Sequence, residues 1–151
     1  MNKKLFGSCI ALALGAGCAL TAVAQVKPDV LVGQRQAVMK LQGKYFGPLV
    51  GMLKGTVPYD AAIVTRNAAF LENLTQMPWD GFAESTKGVK SFALPVIWTE
   101  GAKFKEAQDQ LRSAIGALNT AAKGGNEGAV KTAIGDVGKA CGNCHDNFRE
   151  K

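Results

Sequence analysis

The chain has 151 residues, with 18 Lys and Arg against 12 Asp and Glu, a single His and four Cys. That length suits one domain around one core and requires no second. The net charge of +6 is spread without long runs of one sign, and the basic residues are not clustered with aromatics, which leaves no argument for a nucleic-acid surface.

The first 24 residues read as a secretory signal: Asn2-Lys3-Lys4 as charged n-region, Leu5 to Leu20 as apolar stretch, and Ala22-Val23-Ala24 as small-residue exit. A retained membrane anchor is disfavoured by Gly7, Gly15 and Gly17, and a lipoprotein site at Cys18 by the missing bulky aliphatic residue at position 15. Cleavage after Ala24 is therefore expected, with export to the periplasm and residues 25–151 as the mature domain. Cys9 and Cys18 leave with the signal, so the exported chain keeps only Cys141 and Cys144.

Four helical segments are predicted beyond it. The first spans about Lys27 to Leu53. Leu31, Val38, Tyr45 and Met52 recur every seven residues beside a second stripe of Val32, Met39 and Phe46, and Gly47-Pro48 allows a kink or break. After Gly55 to Tyr59, Asp60 is placed to cap a second helix with Ile63, Val64, Phe70, Leu71 and Leu74 on its apolar positions. Met77 to Leu94 holds Pro78, Gly81 and Gly88 without a sustained period, and reads as a long functional loop with room for one helical turn. A third helix is expected from Pro95 to Gly124-Gly125, carrying Trp98, Phe104, Leu111, Ile115, Leu118 and Ala122. Asn126 then caps a fourth, in which Val130, Ile134, Val137, Cys141, Cys144 and Phe148 are spaced 4, 3, 4, 3, 4. No segment alternates as a strand does. The expected fold is all-α, an antiparallel four-helix bundle with one long crossover loop.

Cys141-Gly142-Asn143-Cys144-His145 is a C-x-x-C-H sequence, the signature of covalent haem attachment. Residues three and four apart share a helix face, so both thiols can reach the haem vinyl groups while the imidazole of His145 reaches iron. Zinc would need four ligands where the mature chain offers three. A thioredoxin-like pair belongs at a helix N-terminus beside a sheet, and a disulfide this short would cross-link almost nothing. The expected cofactor is one covalent haem c, with His145 as axial iron ligand. Met39, Met52, Met77, a lysine, or no residue at all remain as sixth ligand; each methionine can also be core filler, and for Met52 and Met77 that is the better reading.

The chain resembles the cytochrome c-prime family, class II c-type cytochromes with a C-terminal haem motif. The resemblance rests on Arg35-Gln36, Tyr45-Phe46-Gly47, Pro58 to Ala62, Pro78-Trp79, Phe82, Pro95 with Ile97-Trp98, Gly135 to Gly138, and Cys141 to Arg149. It implies a five-coordinate, high-spin haem with Met39 as apolar cover on the distal side. It also implies haem-propionate contacts from Arg35 and Gln36, for which a solvated helix face is the alternative. Arg149 is placed beside the proximal imidazole, or else, with Lys151, merely complements the helix dipole. The apolar run Phe92-Ala93-Leu94 departs from the family pattern, and no loop contact to haem is assigned.

Function is expected in electron transfer, in binding of nitric oxide and carbon monoxide, or both, with redox partner proteins unspecified. Sulfur ligation by Met39 would instead make the protein a low-spin His/Met electron carrier. Enzymatic peroxide chemistry lacks a distal acid or base, so no enzyme is expected. The family further implies a homodimer formed through the early helices, with no nucleic-acid or membrane partner.

Overall fold

The computed structural model describes residues 25–151; the expected signal over residues 1–24 lies outside them. Five α-helices follow in order: α1 (Pro28–Leu53), α2 (Ala61–Leu74), the single turn α3 (Val96–Thr99), α4 (Gly101–Gly124) and α5 (Glu127–Phe148). Between α2 and α3 lie two short 3-10 turns, Trp79–Phe82 and Glu84–Thr86. Among the described residues there is no strand, only an isolated antiparallel bridge between Ala93 and Arg149.

The helix boundaries follow local chemistry. Pro28 opens α1 at a position where its missing N–H is not needed. Asp60 caps α2, its Oδ1 accepting from the backbone N–H of Ala62 at 2.8 Å and of Ile63 at 3.0 Å. Asn126 does the same for α5 through the Ala129 N–H at 2.9 Å. Gly125 closes α4 at φ +71°, a left-handed conformation that favours glycine.

Two expectations are corrected. Pro48 does not break α1, which runs on to Leu53; the proline removes one intrahelical donor, and the surrounding packing holds the helix through it. The segment from Pro95 to Gly124 is two helices, because Glu100 at φ −119°, ψ 46° leaves helical geometry before Gly101 restarts it.

The four long helices pack antiparallel in the cyclic order α1, α2, α4, α5. Paired contacts fix the directions: Gln42 reaches Leu74 and Tyr45 meets Phe70, while Gln110 meets Asn143 and Phe104 meets Phe148. One end of the bundle is solid and aliphatic, built from Leu49 and Met52 of α1, Val64 and Ala68 of α2, Leu118 of α4, and Val130 and Ile134 of α5.

The other end differs because α2 is short. At 1.5 Å per residue, α2 is about 21 Å long against about 39 Å for α1. Beyond Leu74 the bundle therefore has three helices rather than four. Residues 75–100 cross that end and bring a second, aromatic cluster around Ile97, Phe104 and Phe148, with Trp79 and Phe82 packed against it. Along α1, Met52 joins the aliphatic core, Met39 faces the three-helix end, and Phe46 packs against both.

Candidate functional site

The three-helix end encloses a cavity of about 530 Å³, within the range of cofactor sites. The middle of α1, the first two-thirds of α4 and the second half of α5 form its walls, and the segments around Trp79–Phe82 and Ser91–Ala93 cover it. Every site residue expected from the sequence lines this one cavity: Arg35, Gln36, Met39, Cys141, Cys144, His145 and Arg149.

Cys141 and Cys144 are half-buried free thiols on the cavity face of α5. Burial raises the Cys141 pKa, and burial together with Cys141 pushes Cys144 up to about 11. Both therefore stay protonated near neutral pH, as neutral thiols that can add to a vinyl group. His145 follows on the same face. Desolvation first, and then the positive charge of Arg149, lower its pKa below the ordinary histidine value, which favours the neutral imidazole a metal requires. Arg149 lies just past the end of α5, where its N–H donates to the His145 carbonyl at 3.2 Å.

Arg35 is only 4% exposed, which overturns a solvated helix face for it; Gln36 stays exposed at the cavity wall. The Arg35 guanidinium donates to the Gly81 carbonyl and, at 2.7 Å, to Ser91 Oγ, and it lies 4.4 Å from the Phe82 ring centroid. Among the described residues no carboxylate comes within 4 Å of it, and no Asp or Glu lines the cavity. Burial lowers its pKa. A buried cation without an anion is costly. A carboxylate-bearing group in the cavity, such as a haem propionate, would supply the missing partner. The thiol pair, the adjacent imidazole, the apolar walls and this lone cation together fit haem.

The cavity also sorts the candidate sixth ligands. Met39 is the one methionine lining it, and Lys40 the one lysine. Met52 is buried in the aliphatic core at the opposite end, and Met77 is 58% exposed outside the cavity.

Sequence reasoning assigned no loop residue to the site, yet Trp79, Phe82, Ser91, Phe92 and Ala93 line it. The clustering of Trp79 and Phe82 after Pro78 was the available signal, since aromatics in a loop need something to cover. Ser91 carried none. The apolar run at 92–94 is explained by the bridge to the chain end: Leu94 N–H donates to the Phe148 carbonyl at 3.0 Å and Glu150 N–H to that of Phe92 at 2.8 Å. These bonds tie the loop to the end of the helix bearing Cys141 and Cys144.

A four-helix bundle with a C-x-x-C-H face turned into such a cavity defines a c-type haem protein. The family model described as Cytochrome C' matches residues 30–149. Cytochrome c' of Alcaligenes xylosoxydans xylosoxydans is 38% identical over 125 residues, covering 83% of this chain and 97% of the relative. The crystal structure of cytochrome c' from Rubrivivax gelatinosus matches with a TM-score of 0.79 at 34% identity, over 82% of this chain and 98% of that one. A variant of Alcaligenes xylosoxidans cytochrome c prime, solved as its nitric oxide complex, matches with a TM-score of 0.77 at 36% identity, over 83% and 98%. The chain belongs to the cytochrome c' family and carries covalent haem c, for which Cys141 and Cys144 are the cysteines present.

Proposed function

We propose that this protein is a periplasmic mono-haem cytochrome with five-coordinate, high-spin iron, acting in electron exchange and in binding nitric oxide, and not an enzyme. Haem held by two thioether links supplies a one-electron centre and an iron with one face available to a diatomic ligand. The chain's own residues determine the rest. Cys141 and Cys144 would anchor it and His145 would ligate it from the α5 side, its neutral imidazole favoured first by desolvation and then by the charge of Arg149. Arg35 and Gln36 receive the propionates, and Met39 covers the distal side without bonding.

The observation that carries this reading is the composition of the cavity wall. Apart from His145 it offers no histidine and no carboxylate, hence no second imidazole for iron and no histidine or carboxyl group to act as acid or base on peroxide. The nitric oxide complex of the Alcaligenes relative supports the gas-binding part. Export rests on the signal read over residues 1–24. Exposed Val30 and Leu41 of α1, with Phe70 of α2, supply apolar surface for the homodimer expected of the family.

The alternative is a low-spin carrier with Met39 sulfur on iron, and Met39 is the methionine placed for it. Ligand titration separates the two. With Met39 as unbonded cover, carbon monoxide binds the ferrous protein weakly and nitric oxide readily, and Met39→Ala raises carbon monoxide affinity about tenfold, equivalent to about 1.4 kcal/mol. Equal affinities in two folded proteins would show that Met39 is ordinary packing.

A further inference from the structure

The even spread of positive charge expected above does not hold for residues 25–151, although no long run of one sign occurs. Residues 27–54 carry Lys27, Arg35, Lys40, Lys44 and Lys54 against the single anion Asp29, whereas residues 55–151 carry eleven cations and eleven anions. The entire net charge of residues 25–151 therefore sits on α1 and its two ends. On α4 and α5 most cations have anions one turn away, as in Lys105–Asp109 at 2.5 Å, Lys131–Glu127 at 2.7 Å and Lys139–Asp136 at 2.9 Å. Among the described residues, none of the five cations of residues 27–54 has such a partner within 4 Å.

Lys40 and Lys44 are one turn apart and exposed, on the same side of α1 as Gly33 and Ala37. The relief there is low: a Cβ added at Gly33, Gly43 or Gly47 meets nothing within 4 Å. Lys40 and Gly43 also line the cavity, so this face runs directly into its mouth. Across the mouth stand Arg149, without an ion pair, and Phe92, which is 66% exposed. A flat cationic helix face bordering a cofactor cavity, with an exposed ring opposite, is suited to transient docking under electrostatic steering.

We infer that the outer face of α1 around Lys40 and Lys44 is the docking surface for a redox partner protein that presents clustered carboxylates. The inference rests on electron exchange as proposed above. A membrane of anionic lipid is the lesser match, because Leu41 is the one bulky apolar residue between the two lysines and Gly33 and Ala37 precede them, so this face has no continuous apolar stripe to insert.

The test uses isotope-labelled holoprotein and poly-L-glutamate as a carboxylate probe, followed by amide chemical shifts. Shift changes should be confined to α1 and residues 90–93. They should vanish near about 1 M salt, where the screening length is about 3 Å. Lys40→Glu with Lys44→Glu should weaken binding by about tenfold or more, since attraction becomes repulsion. Lys105→Glu with Lys139→Glu alters the net charge equally and should have far less effect. Shifts spread over α4 and α5, or equal weakening by both pairs, would overturn the inference. So would binding of phosphatidylglycerol vesicles through α1 with no response to poly-L-glutamate, or a homodimer interface that buries Lys40 and Lys44 as well as Val30, Leu41 and Phe70. Oxidation of the ferrous protein by hexacyanoferrate(III), an anion, is followed in parallel and should slow in the α1 variant. If the glutamate probe maps to α1 while hexacyanoferrate(III) fails to oxidise the ferrous protein, the surface stands and the electron-exchange reading fails.

Discussion

Replacing Gly81 by alanine attacks the cavity from behind, without substituting a residue expected to meet haem. Gly81 is buried in the 3-10 turn that lies against α1. A Cβ there would sit 2.6 Å from Arg35 Cβ, 2.8 Å from the Leu31 carbonyl oxygen and 2.9 Å from Arg35 Cδ. Two of these are backbone or next to it and cannot swing aside, so the turn must withdraw from the helix. Overpacking alone costs about 1–3 kcal/mol. Withdrawal also pulls the Gly81 carbonyl from the Arg35 guanidinium, a charged hydrogen bond of about 1.5–3 kcal/mol, though Thr86 Oγ1 at 3.1 Å still satisfies that oxygen. The expected loss is about 2–5 kcal/mol in urea unfolding followed by circular dichroism. Gly116→Ala is the comparison. It lies within α4 with nothing within 4 Å of an added Cβ, so it should stabilise by about 0.5–1 kcal/mol through helix propensity. A Gly81→Ala protein as stable as the wild type would refute the close approach of the turn to α1, and with it the way Arg35 is clamped.

Two further predictions concern the site itself. Haem should survive acid–acetone extraction on the polypeptide, and Cys141→Ala with Cys144→Ala should abolish this; a colourless extracted wild type would remove the attachment site. Arg35→Met should lower the haem midpoint potential in a spectroelectrochemical titration, because removing a buried cation favours the more positive ferric state. Arg35→Lys should retain most of the wild-type value, and an unchanged or raised potential in the methionine variant would show that Arg35 does not face the propionates.

The bundle was legible because its signals are local. Asp60, Asn126 and Gly125 act within their own turn, and the 4, 3, 4, 3, 4 spacing from Val130 to Phe148 fixes the buried side of α5 without knowledge of any neighbour. The interruption at Glu100 was not legible, since it answers to how residues 75–100 must cross the open end rather than to a breaker in the sequence. Leu49, fully buried, lay off the heptad stripe because α1 meets different surroundings along its length. At the site, the C-x-x-C-H face and Met39 were readable from motif and resemblance. The burial of Arg35 was not, because an arginine reads as surface until the partners that enclose it, Gly81, Phe82 and Ser91, fold back from about fifty residues away.

The account turns on whether Met39 covers the iron or binds it. Optical and EPR spectra of the ferric protein near neutral pH, wild type beside Met39→Leu, address that directly. The prediction is a predominantly high-spin signal without a sulfur-to-iron charge-transfer band in either protein. A low-spin wild type showing that band, lost in Met39→Leu, would contradict it and make the protein a His/Met electron carrier.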